Sequence, residues 1–161
     1  MLKHTSITRN RISEFIKYEL EPLIYPSKSE LKVEFCATAH PDQASAKKGE
    51  WQPVEPGFKW GPAYQTVWFR LKGVVPKEYA EKEVVLMPEV GGERIVWVDN
   101  SPFMGVDWAH PACEWIDKAR GGEKIEVYVQ AYASNPQCSV HRRERPREAL
   151  VETVGHSTVT V

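Results

Sequence analysis

Few residues of this 161-residue sequence are of the types that perform covalent chemistry, and fewer are spaced to do so. Asp107 and His110, with Glu114 downstream, could imitate a metal or acid–base cluster. Their spacing matches no ligand pattern, and a solvated loop whose polar groups bond nearby backbone would look the same. Glu89 and Glu93 flank Gly91-Gly92 and could serve as a carboxylate pair for glycoside cleavage. Solvated glutamates beside a turn have the same appearance. Ser101, Ser134, Ser139 and the three cysteines, Cys36, Cys113 and Cys138, carry no nucleophile signature. No glycine-rich phosphate loop follows a strand. The expectation is therefore no catalytic residue and no metal ligand in this chain.

Binding chemistry is better represented. Sugars are held by flat aromatic faces that cover the apolar C–H side of the ring, while carboxylates and amides take the hydroxyls. Trp51, Trp60 and Trp108 fall on expected loops, and Asp107 and His110 neighbour the last of them. These five are the candidate carbohydrate-binding residues. The competing reading has the loop tryptophans plugging the end of a sandwich or packing on another domain. Trp68 and Trp97 fall on strands and read as packing residues.

The elements that must position these residues are mostly strands. In the stretch 51–76, Pro56-Gly57 and Gly61-Pro62 mark turns, and Pro76 ends the ladder. Between them, Val67, Phe69 and Leu71 point one way and Trp68, Arg70 and Lys72 the other, the period of a strand with one face on a core. Further strands are expected over 31–37, 83–88, 93–99, 102–106 and 124–133, with 112–118 either a helical turn or a strand. Ile95 and Trp97 oppose Val96 and Val98, so that strand should be covered on both faces. Asp99-Asn100-Ser101 is a tight turn, and the polar stretch 40–50 reads as an exposed loop.

Ahead of the strands, Ile12, Phe15, Ile16, Leu20, Leu23 and Ile24 recur at helical spacing, predicting a helix over 5–21. Pro22 should stop or kink it. The expected fold is a mostly β, antiparallel β-sandwich of the jelly-roll or galactose-binding-like kind, preceded by one N-terminal α-helix. Its divisions are a helix and linker over 1–30, the sandwich over 31–133, and a polar tail over 134–161 that ends as an edge strand or opens a linker.

Composition narrows the partners. Twenty-one basic against 22 acidic residues argue against nucleic acid or an anionic membrane. No run is long enough to span a bilayer, and the N-terminus is polar. An odd number of cysteines without C-x-x-C spacing speaks against a disulfide framework and a zinc knuckle. The expected setting is the reducing cytoplasm.

The order Trp51, Pro53-Val54, Pro56-Gly57, Trp60-Gly61, Thr66, Trp68-Phe69-Arg70 and Val75-Pro76 resembles the N-terminal domain of family 38 α-mannosidases. Gly92-Glu93, Val98-Asp99, Gly105-x-Asp107 and His110 continue the likeness, and Thr8, Arg11, Ile12, Phe15 and Ile16 extend it upstream. Asn100 stands where a glycine is usual, and the likeness fades after Ala133. The resemblance implies an accessory β-sandwich of an enzyme that cleaves α-mannosides with retention, using a divalent metal (zinc, cobalt or calcium). The family's histidine–aspartate metal signature and aspartate nucleophile do not occur in this chain. The implied partners are the catalytic domain, α-mannoside sugars and other copies of the parent enzyme. The sandwich would serve packing or assembly and be inactive alone, or else act as a stand-alone carbohydrate-binding module.

Overall fold

A computed structural model describes residues 5–38, 42–133 and 152–161. It holds the helices α1 (Thr5–Phe15), α2 (Glu21–Ile24) and α3 (Gln43–Ala46). The strands are β1 (Lys28–Glu30), β2 (Lys32–Cys36), β3 (Gln52–Val54), β4 (Lys59–Trp60), β5 (Thr66–Val74) and β6 (Val84–Met87), then β7 (Glu93–Val98), β8 (Ser101–Val106), β9 (Cys113–Ile116), β10 (Lys124–Tyr132), β11 (Glu152–Thr153) and β12 (Thr158–Thr160). A six-stranded sheet runs β3-β2-β5-β10-β7-β8, a four-stranded sheet runs β1-β12-β6-β9, and β11 pairs with β4. Every pairing is antiparallel. Among the described residues no helix is long and apolar enough to cross a membrane.

The core lies between the two large sheets. Val67, Phe69 and Leu71 of β5 and Val127, Val129 and Ala131 of β10 are fully buried and share one cluster with Val84, Leu86 and Val159 of the opposing sheet. Each such Leu or Phe contributes about 1.5–3 kcal/mol by leaving water. The inward residues sit opposite one another in register, Leu71 beside Val127 and Phe69 beside Val129, so the period-2 pattern becomes one continuous apolar layer. The stretch 112–118 resolves as the strand β9.

Three expectations change. The tail does not end in an edge strand: β12 is a buried inner strand of the smaller sheet, hydrogen-bonded to β1 on one side and β6 on the other. The sandwich therefore reaches beyond 31–133 to include β1 and β12, while 134–151 lies outside the described residues. The stretch 40–50 is not wholly exposed, for α3 buries Gln43 and Ala46. Asp42 caps α3, its carboxylate accepting from the Ser45 N–H at 2.8 Å.

Finally, of the two outcomes expected at Pro22, a stop or a kink, the stop does not occur. The chain widens into a π turn over Ile16–Leu20 and resumes as α2 with Pro22 in its first turn. Proline lacks the N–H an α-helical interior requires, and the first turn is where that donor is not missed.

Candidate functional site

The outward face of the six-stranded sheet carries two surfaces. At one end, Trp68, Trp97 and Tyr128 form a second apolar layer with Cys36 and Ala46. Trp68 and Trp97 pack at 5.4 Å between ring centroids, and Trp51 meets Tyr128 edge-on at 5.7 Å. Arg70 stacks over the Trp51 ring at 4.7 Å and binds the Glu34 carboxylate, which Lys72 also reaches. Burial alone would raise the Glu34 pKa, but the hydrogen bonds from Arg70 and Lys72 outweigh it and hold the group below its ordinary value. The lid over this layer is α3. It is latched to the β7–β8 hairpin because Asp99 and Asn100 both adopt positive φ, and the Asn100 N–H donates to the Gln43 side chain at 2.6 Å.

At the other end the face is open. Thr66, Glu93, Ile95, Gly105, Gln130 and Tyr132 line a groove of about 670 Å³ together with Arg94, Val106, Asp107 and His110. Register brings these residues together: Tyr132 lies between Thr66 and Glu93, and Ile95 lies between Gln130 and Gly105. Ile95 is 39% exposed, so the expectation that this strand is covered on both faces holds at Trp97 and fails at Ile95. The loop after β8 is pinned by Asp107, whose Oδ1 accepts from the backbone N–H groups of Ala109 and His110 at 2.8 and 2.7 Å. Those bonds, led by the one from His110, hold the Asp107 carboxyl below its ordinary pKa. The His110 ring nitrogen stands 3.3 Å from the same oxygen.

The predicted sugar-binding residues scatter over this frame. Trp60 is buried in the main core, its indole N–H donating to the Val90 carbonyl at 2.7 Å and its ring edge-on to Phe69. It offers no face to a ligand, because a partner for the N–H and an apolar bed for the ring both lie inside the sandwich. Trp51 is half-buried against Tyr128 and Arg70 in the covered half. Trp108 is 88% exposed beside Asp107 and His110. Only Asp107 and His110 of the five line the groove. Sequence reasoning missed Ile95, Gln130 and Tyr132, which look like ordinary strand residues. Gly105 was the available signal, since a glycine inside a strand often marks close approach of a ligand or another backbone.

As for catalysis, Glu114 sits on β9 in the other sheet, apart in the topology from the Asp107–His110 pair. Glu89 and Glu93 flank the turn through Gly91-Gly92, where a Cβ at Gly92 would collide with the Tyr132 carbonyl oxygen. Among the described residues no cluster of three or more His, Cys, Asp or Glu could hold a metal ion.

A family model described as the jelly roll domain of alpha-mannosidase matches residues 25–152. Human Alpha-mannosidase 2C1 is 25% identical over 141 residues, covering 80% of this chain and 14% of the human protein. Alpha-mannosidase G of Dictyostelium discoideum is 24% identical over 144 residues, covering 81% of this chain and 13% of its own length. Among solved structures, a Beta-glucuronidase from Faecalibacterium prausnitzii superposes with a TM-score of 0.47 at 14% identity, over 83% of this chain and 31% of that one. The chain thus spans about a seventh of the curated relatives it matches. On the strength of the match to its sandwich, the chain belongs to the α-mannosidase family, of which it carries the jelly-roll domain.

Proposed function

We propose that this chain is the N-terminal accessory sandwich of an α-mannosidase and serves domain packing or assembly without turnover of its own. One observation carries the reading. The sandwich has a complete core, yet no residue of the helical segment over 5–20 is buried, and Leu23 and Ile24 beyond it stand 70% and 60% exposed. Ile12, Phe15, Ile16 and Leu20 add to an apolar surface that an isolated domain has no use for. The occupant we assign is further polypeptide of the same enzyme, since the matched relatives run to several times this length. The zinc, cobalt or calcium and the α-mannoside chemistry belong with that polypeptide, as does any homo-oligomer. A reducing, cytoplasmic setting agrees with Cys36 and Cys113, both free and buried.

The test is twofold. The chain should bind a hydrophobic dye and self-associate at high concentration, and Leu20→Ser, Leu23→Ser and Ile24→Ser together should reduce both. Aryl α-mannoside with zinc, cobalt or calcium should show no turnover. A chain that stays monomeric and dye-free, or that hydrolyses the substrate, overturns the reading.

A further inference from the structure

We infer that the open half of the outward sheet face is a binding site for a neutral pyranose sugar, held on the apolar surface of Ile95 and Tyr132 with room left beside Ile95 by Gly105. The strongest indication is Gly105 itself. It lies inside β8 without the positive φ that would demand glycine. A Cβ there would meet nothing nearer than the Arg94 carbonyl oxygen at 4.0 Å. Neither backbone geometry nor packing calls for glycine, which weakens a strand by its entropy and its missing side chain. What the missing side chain does is leave the groove floor open beside Ile95, its cross-strand neighbour.

The lining suits a sugar. Ile95 and Tyr132, 39% and 36% exposed, supply apolar surface for the C–H side of a ring. Thr66, Gln130 and Glu93 surround it with a hydroxyl, an amide and a carboxylate, groups that donate to or accept from sugar hydroxyls. An apolar floor with a few convergent polar groups is the usual make-up of a small-molecule site. Glu93 and Asp107 line the groove, and so do Arg94 and His110, so no single sign of charge prevails there. Arg94 lies on the inward side of β7 by strand alternation, and its Nη1 donates to the Pro88 carbonyl. About 670 Å³ accommodates one or two hexose rings. The site is built without the loop tryptophans Trp51 and Trp60, and it does not depend on the docking role of the helical segment.

The experiment is a titration of the whole chain with methyl α-mannoside, α-mannobiose and methyl β-glucoside, followed by amide NMR shifts. Saturable shifts centred on Glu93, Ile95, Gly105, Gln130 and Tyr132, with a dissociation constant on the order of 1 mM, are expected for at least one sugar. Gly105→Val fills the floor and should weaken that binding at least about tenfold while the thermal midpoint holds. Should Gly105→Val fail to fold, Gln130→Ala decides by the same criterion. No saturable shift with any sugar at about 20 mM overturns the assignment, as does binding that both substitutions leave unchanged. Dye binding and self-association report on the helical segment alone, so failure here leaves the docking reading standing, and the reverse.

Discussion

Along the outward face of the six-stranded sheet, the row Arg70–Tyr128–Trp97 and the row Thr66–Tyr132–Glu93 use the same three strands, β5, β10 and β7. The first lies under Trp51 and α3 and is packed like an interior. The second faces solvent across an open groove. Nothing in the strands separates the two, for the pleat turns both rows outward alike. The difference comes from a short insertion between β2 and β3, where one capped helical turn lays Ala46 on the tryptophans and is tied to the β7–β8 hairpin through Gln43 and Asn100. Coverage of a sheet face is thus decided by a loop that the sheet itself does not specify.

The contrast can be broken most sharply at Trp68. Its replacement by Ala should destabilise the chain by about 3–5 kcal/mol, as for a large aromatic removed from a core. A urea-denaturation loss below about 1 kcal/mol would mean that the covered half is not a second core.

At the margin of the covered half, Glu34 gives a smaller, pH-gated effect. Its folded pKa is depressed below the ordinary 4.5, so the unfolded chain takes up the proton first as pH falls. The stabilisation by Arg70 and Lys72 is therefore full above 4.5 and drains away as pH drops through the lower, folded value. Glu34→Gln should cost about 1 kcal/mol at neutral pH, and its stability curve should converge with the parent's in acid. A difference that grows on acidification would reverse the assignment.

Smallest of all is Ile95→Thr in the open half. Thr keeps the β-branched shape, and the exposed site should register within about 0.5 kcal/mol in thermal melts. A loss comparable to that at Trp68 would show that the groove is as packed as its neighbour.

Much of the sandwich was legible because its long strands alternate cleanly. Val67, Phe69 and Leu71 against Trp68, Arg70 and Lys72 told inside from outside before any partner was known, and Asp99-Asn100 announced its hairpin through residues that tolerate positive φ. The part played by β12 was hidden. Thr158 and Thr160 are polar, and their partners Lys28 and Glu30 come from the far end of the chain, so no local pattern reports the pairing. Trp60 was hidden differently: turn dipeptides on both sides gave it the look of a loop residue, while the hydrogen bond to Val90 that draws it inward is made across the fold. The groove suffered from the same limit, since Gln130, Ile95 and Gly105 become neighbours only through register.

The pairing of β1 with β12 bears on how the chain reaches its fold. Of the strands in the smaller sheet, the inner strand β12 comes last along the chain, and β1, the first, has no other neighbour there among the described residues. On a ribosome, β6 and β9 can find each other early, whereas β1 must wait for β12 to emerge before it has a ladder to join. The segment between the helices and β2 would then settle into the smaller sheet only once β12 has been made.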